Sequence, residues 1–185
     1  MKTWTMKTTK PRDPEGPSES WGGPVRASEI HKVPHGPVYL GYDYDAGPDA
    51  YVWGERIPTG RLGIGDYYHY ANAEEFQDDV LRAGGVTGEL DGRPLRLTFT
   101  RTWVVPYSGK LDVDLDGQLW RMRLRSFLPS RAVLYAPDGS RIASIPAWPP
   151  PWRVKIAADA TPDQVALAVL LRPVHLAVSH KSETR

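Results

Sequence analysis

Three Asp-Gly pairs divide the second half of the chain, and they constrain its fold more than any other feature. They are Asp91-Gly92, Asp116-Gly117 and Asp138-Gly139. A type I′ hairpin turn needs a positive φ at both central residues, and Asp followed by Gly adopts this geometry readily. Each pair lies between short runs of alternating or β-rich residues. The sequence therefore predicts three type I′ hairpins, which together form an antiparallel β-meander of about six strands.

The clearest alternation flanks the second pair. Residues 111–116 read Leu-Asp-Val-Asp-Leu-Asp, and residues 120–125 read Trp-Arg-Met-Arg-Leu-Arg. This period of two is typical of strands with one buried face. Because opposite charges pair across antiparallel strands, we expect the arginines of the second run to lie near Asp112 and Asp114.

The end of the chain predicts one well-defined helix. Thr161 is placed as the N-cap, Pro162 at the first helical position and Gln164 at the third, which is the pattern of a capping box. Residues 165–171 are apolar on every side of this helix. A helix without a polar face is expected in the interior of a domain. The predicted fold class is therefore mainly β, a meander or barrel around a buried C-terminal helix.

The rest of the chain gives weaker signals. Residues 1–25 are rich in Pro and Gly and predict a flexible arm, in which Trp4 and Trp21 are unusual. Residues 26–178 are expected to form one β-rich domain, and residues 179–185 a polar tail. Within that domain, an N-cap at Asn72 and a glycine pair after residue 83 predict one short extra helix. Gly63 and Gly65 are interpreted as a bend before it.

Composition restricts the possible functions. The chain has no cysteine, which excludes disulfides, thiolate metal sites and thiol nucleophiles. Residues 1–91 contain nine basic and 15 acidic residues, whereas residues 92–185 contain 14 basic and seven acidic ones. Such asymmetry either steers an anionic partner to one face or lets the two halves attract each other. No segment reads as a secretory signal or a transmembrane span, so we expect a cytoplasmic protein.

The order of elements after residue 90 resembles a known family. A hairpin over residues 131–145 is followed by a strand at 152–156 and by the apolar helix at 163–171. This order resembles the C-terminal portion of the tubby-like superfamily, which includes phospholipid scramblases and the LURP-one-related proteins. The resemblance covers roughly residues 90–178. It implies a closed β-barrel threaded by the hydrophobic helix. Because some members bind phosphoinositide head groups on a basic barrel face, it also implies an anionic ligand.

The candidate binding residues lie on the basic strands of the meander. They are Arg121, Arg123, Arg125 and Arg131. Guanidinium groups on one sheet face suit phosphate and carboxylate groups, because each makes bidentate contacts. We therefore predict a non-enzymatic binding or scaffold module whose partner is a lipid head group or an acidic protein surface. Neither catalytic residues nor a cofactor nor a metal site is predicted.

Two other functions remain as alternatives. One is an enzyme with an acid–base site near Asp66, His69 and Glu74, where titratable groups crowd together. The other is a structural subunit of a larger assembly, anchored by the N-terminal arm.

Two further kinds of ligand are disfavoured by the sequence. Residues 112–117 match the opening of a calcium loop, but Arg123 occupies the place of the bidentate glutamate, which disfavours calcium. A pI near 8.0 and tryptophans at core positions argue against a nucleic-acid partner.

Overall fold

The computed structural model describes ten stretches of the chain. They are residues 2–8, 25–28, 38–43, 49–54, 56–63, 85–101, 109–125, 131–146, 152–172 and 174–175. These stretches form twelve strands and one helix. The strands are β1 (Lys2–Thr8), β2 (Val25–Ser28), β3 (Val38–Asp43), β4 (Asp49–Gly54), β5 (Gly60–Gly63), β6 (Val86–Leu90), β7 (Arg93–Arg101), β8 (Gly109–Leu115), β9 (Gln118–Arg125), β10 (Arg131–Tyr135), β11 (Arg141–Pro146) and β12 (Trp152–Ile156), and the helix is α1 (Pro162–Leu170).

The strands form one antiparallel sheet. Each strand pairs with the strands before and after it in the chain, and β1 also pairs with β12, which closes the strand order into a barrel. The prediction of a mainly β, antiparallel meander is confirmed. One end of the barrel, here called the turn end, carries the turns β6–β7, β8–β9 and β10–β11 and the start of α1. Strand direction fixes this arrangement, because every second strand ends there.

The Asp-Gly turns at this end are of two kinds. Both residues of the first two pairs have positive φ, at 54° and 69° for Asp91-Gly92 and at 53° and 76° for Asp116-Gly117. These are the predicted type I′ turns. In the third pair only Gly139 has a positive φ, of 83°, and its N–H donates to the Ala136 carbonyl at 2.9 Å. The type I′ prediction is wrong here because Pro137 fixes its own φ near −65°, which favours a type I turn followed by a glycine bulge.

Gly63, which was predicted to lie in a bend, is the last residue of strand β5, and Gly65 lies outside the described residues. The strand pairs with β4 and β6, and its residues alternate between the interior and the surface. A Cβ added at Gly60 would lie 2.8 Å from Leu90 Cδ1 and 2.9 Å from Leu170 Cδ2. Gly60 is therefore required by the close approach of the strand to its neighbours.

Helix α1 begins as the sequence predicts. The Thr161 Oγ1 accepts a hydrogen bond from the Gln164 N–H at 3.3 Å, and the Thr161 N–H donates to the Gln164 Oε1 at 2.9 Å. These reciprocal bonds satisfy two of the backbone donors that every helix start leaves open. At the same end Arg93, at the start of β7, forms an ion pair of 2.8 Å with Asp163 and so links the helix start to the barrel rim.

The apolar residues of α1 are removed from solvent. Residues 165–171 are each at most 1% exposed, and the helix contacts β3, β4, β5, β11 and β12. The burial extends beyond the helix to Arg172 and His175, which are 1% and 0% exposed. The His175 N–H donates to the Leu171 carbonyl at 3.2 Å and continues the helical pattern.

The predicted N-terminal arm is wrong for residues 2–8. They form strand β1, which pairs with β12 from Lys2 to Met6 and with β2 from Thr5 to Thr8. The signal in the sequence is the alternation Lys-Thr-Trp-Thr-Met-Lys-Thr, which precedes the first proline. Its strand propensity is satisfied by distant partners, which no local pattern reveals. Residues 9–24, the predicted helix near 73–83 and the tail at 179–185 lie outside the described residues.

Candidate anion-binding face

The outer surface of strands β8 to β10 carries the predicted arginines. Trp120, Met122 and Leu124 of β9 are buried, and the intervening Arg121 and Arg123 are exposed. Arg131 is exposed at the start of β10. Arg125 stands at the end of β9, directly opposite Arg131 in the register, and its side chain lies outside the described residues. The sheet therefore brings all four predicted positions onto two adjacent strands.

Among the predicted arginines, Arg121 forms an ion pair with an acidic residue. The register sets it opposite Asp112, and its Nε lies 3.8 Å from the Asp112 Oδ1. The other oxygen of Asp112 lies 2.8 Å from the Lys110 Nζ. The predicted cross-strand pairing is thus confirmed for Asp112.

The same prediction is wrong for Asp114. This residue stands opposite Leu119, and its carboxylate accepts a hydrogen bond from the Gly117 N–H at 2.9 Å. The turn geometry brings that N–H within reach, so Asp114 stabilises the β8–β9 turn and leaves the arginines farther along β9 without its charge.

Arg123 and Arg131 each face another cation. In the register Arg123 stands opposite Lys110, and Arg131 stands opposite Arg125. Directly opposed residues of an antiparallel pair have Cβ atoms about 4.5–5.5 Å apart, and like charges at this distance are destabilising. Arg123 also lies over the ring of Tyr135, with its Cζ 5.4 Å from the ring centroid. This cation–π contact contributes about 0.5–1 kcal/mol at an exposed site and orients the guanidinium along the sheet.

Lys155 is a further basic residue of this surface that the sequence analysis missed. It is exposed between the buried Val154 and Ile156 of β12, and it stands opposite Ser144 of β11. Within the described part of the chain, no carboxylate forms an ion pair with Arg123, Arg131 or Lys155. We call the outward set Lys110, Arg123, Arg131 and Lys155 the basic face. The alternation around Lys155 was visible in the sequence, but its place two strands away from β10 depends on the strand order.

The calcium-like sequence at residues 112–117 has another use. Asp112 is engaged by Lys110 and Arg121, and Asp116 sits at a turn position with positive φ. Over the residues that the structure describes, no group of three His, Asp or Glu side chains is arranged to hold a metal ion.

The alternative sites fall on other parts of the chain. Asp66, His69 and Glu74, proposed as an acid–base site, lie outside the described residues. The assembly alternative relied on a free N-terminal arm, whereas residues 2–8 are paired on both sides within the barrel. Trp120, one of the tryptophans assigned to the core, is 6% exposed, so it does not offer a stacking surface for bases.

Comparisons with known proteins give no relative. No family model, curated protein or solved structure matches the chain. The tubby-like resemblance therefore stays a prediction. No helix in the described stretches is long and apolar enough to cross a bilayer.

Proposed function

We propose that this protein is a non-enzymatic binding or scaffold module that holds an anionic partner on its basic face. The observation that carries the proposal is the pair of like-charge registers, Lys110 opposite Arg123 and Arg125 opposite Arg131. Asp112 lies 2.8 Å from the Lys110 Nζ and offsets part of the first repulsion, whereas no carboxylate in the described part of the chain forms an ion pair with Arg123 or Arg131. An anion between the two members of a pair converts the repulsion into two attractions, which gives the arrangement a physical purpose.

The chemistry of the face suits carboxylate and phosphate groups. Two guanidinium groups, at Arg123 and Arg131, offer planar forks that bind such groups through two parallel hydrogen bonds. Lys155 adds a point charge, and Lys110 adds a second that Asp112 already pairs at 2.8 Å. Arg121 has a smaller part than the sequence suggested, because Asp112 already lies beside it. A cytoplasmic location is part of the same proposal.

A direct test measures binding to anionic probes at low and high salt. Sedimentation with phosphatidylserine vesicles and retention on immobilised polyglutamate cover the two classes of partner. We expect binding that weakens as ionic strength rises, because the Debye length falls from about 10 Å at 0.1 M to about 3 Å at 1 M. The double variant R123E/R131E should lose this binding.

The matched control places one of the same charge reversals elsewhere on the barrel. Arg61 is exposed on β5, five strand positions from β10 in the closed order. R61E should leave binding within about twofold of wild type, because exposed charges beyond a Debye length are screened. Equal losses in R61E and in the basic-face variants would reduce the effect to net charge and remove the proposal.

We also propose that the barrel has the tubby-like architecture, with α1 as its central plug. The closed strand order and the burial of residues 165–171 support this. Nuclear Overhauser contacts from the Leu170 methyls to Leu90 and to the Gly60 α-protons would test it. Solvent-exposed Leu170 methyls would overturn it.

A further inference from the structure

We infer that the partner of the basic face is an extended acidic peptide segment lying across strands β9 to β12, an inference that rests on the proposed function. The register aligns five outward residues into one row across the sheet. Lys110 stands opposite Arg123, Arg123 opposite Val133, Val133 opposite Ser144, and Ser144 opposite Lys155. The row is basic at both ends and uncharged in the middle.

The length of this row matches the repeat of an extended chain. Neighbouring strands lie about 4.8 Å apart, so the three intervals from Arg123 to Lys155 span roughly 14–15 Å. An extended peptide rises about 3.4 Å per residue, so two side chains on one face and four residues apart are separated by about 13.6 Å. Carboxylates at the first and fifth positions of such a segment therefore meet Arg123 and Lys155 together.

The middle of the row carries no charge. Val133 and Ser144 point to the outer face, because their neighbours Ala132, Leu134, Ala143 and Ile145 belong to the core. They are nevertheless only 6% and 3% exposed, and Val133 is absent from that core. Other atoms of the protein therefore cover these two short side chains, and a peptide that joins Arg123 to Lys155 passes over that cover. Arg131 lies two residues from Val133 along β10, within reach of a carboxylate at the third position.

The charges around the row favour a narrow partner over a membrane. Toward the turn end, the same strands carry the exposed Asp114, Asp116 and Asp138. A flat anionic bilayer on this wall would face these acids as well as the row, whereas a single peptide covers the row alone. Leu119 is the only large apolar side chain exposed in the described part of the chain, and it stands opposite Asp114. The wall therefore lacks a group of apolar side chains to enter a lipid layer.

The test compares three probes on the full-length chain. One is a short fluorescent peptide in which glutamate alternates with serine, the second has the same composition with its glutamates in one block, and the third is a phosphatidylcholine vesicle containing phosphatidylserine. Anisotropy and sedimentation at low salt report binding. We expect the alternating peptide to bind several-fold tighter than the block peptide, because only it matches the row on one face, and the vesicle to bind weakest.

Variants locate the peptide on the row. K155E should weaken binding of the alternating peptide about tenfold, as much as R123E does, because each charge reversal replaces an attraction with a repulsion. K155Q and R123Q, which only remove the charge, should each weaken it less. R121Q and R61E should stay within about threefold of wild type. Circular dichroism of each variant checks that the barrel is intact.

The outcomes separate this inference from the proposal beneath it. Vesicle binding without peptide binding, or peptide binding that K155E leaves unchanged, would overturn the peptide row and leave an anion-binding face in place. Equal affinity for the alternating and block peptides would also overturn the row. The absence of binding to all three probes would remove both the row and the proposed function.

Discussion

Substituting Gly60 with alanine tests how closely α1 packs against strand β5. A Cβ at this position would lie 2.8 Å from Leu90 Cδ1, 2.9 Å from Leu170 Cδ2 and 3.0 Å from Val52 Cγ1. Overpacking of this kind costs about 1–3 kcal/mol. Replacing a strand glycine by alanine returns about 0.5–1 kcal/mol of backbone entropy. We therefore expect G60A to lower the free energy of unfolding by about 0–2.5 kcal/mol, from the difference between these two terms.

The partner substitution gives the sharper result. L170A alone removes a fully buried side chain and should cost about 2–5 kcal/mol. In the double variant the new methyl of residue 60 occupies part of the space that Leu170 leaves. The two costs should therefore not add, and we expect the double variant to be about 0.5–2 kcal/mol more stable than their sum.

Urea unfolding followed by tryptophan fluorescence measures these free energies, since the chain has seven tryptophans. The control is G60A combined with L124A, whose buried leucine lies on β9, four strand positions from β5. The stability losses of G60A and L124A should add to within about 0.3–0.5 kcal/mol. Additivity in the G60A/L170A pair as well would refute the contact between β5 and α1, and with it the plug architecture.

Three smaller predictions follow from the turn end. T161A should lower the free energy of unfolding by about 0.5–2 kcal/mol, because alanine has no side-chain oxygen to cap the start of the helix. T161N should retain most of the wild-type stability, because asparagine supplies such an oxygen, and thermal melts distinguish the two variants. Hydrogen bonds from the Ser140 hydroxyl and then its N–H lower the pKa of Asp138, so that its contribution to stability is present above pH 3.8 and is lost as pH falls through the lowered pKa. D138N should therefore flatten the acid side of a stability–pH profile, and an unchanged profile would contradict this. R93A should cost only about 0.2–1 kcal/mol and lose its effect in high salt, because the Arg93–Asp163 pair is about one-third exposed; a larger, salt-independent loss in urea unfolding would show another role.

The sequence was informative wherever a local rule governs the structure. Type I′ turns at Asp91-Gly92 and Asp116-Gly117 and the capping box at Thr161 depend on a few adjacent residues, so their patterns were sufficient. The third turn differs in type because Pro137, which precedes Asp138, fixes its own φ near −65°. The bend predicted at Gly63 is the end of β5, because glycines also occur in strands whose neighbours approach closely, as at Gly60.

The candidate site divides in the same manner. Alternation along residues 118–125 placed Arg121 and Arg123 on one face. Which charges oppose them depends on the register. The register places Arg123 opposite Lys110, and Asp114 accepts a hydrogen bond from Gly117 within the β8–β9 turn. A shift of one residue would have moved the arginines to the opposite face, so no composition argument could settle the pairing.

By itself, the sequence determined the antiparallel hairpins, the outward placement of the arginines and the start of an apolar helix, because each follows from backbone propensity or from periodicity within one segment. The tertiary structure alone decided that residues 2–8 complete the barrel beside β12, that Lys155 joins the arginines, and that cations face cations at Lys110 and Arg123. These facts depend on pairing between segments far apart in the chain. Such pairing is selected by the burial and hydrogen bonding of the whole sheet, which no short pattern contains.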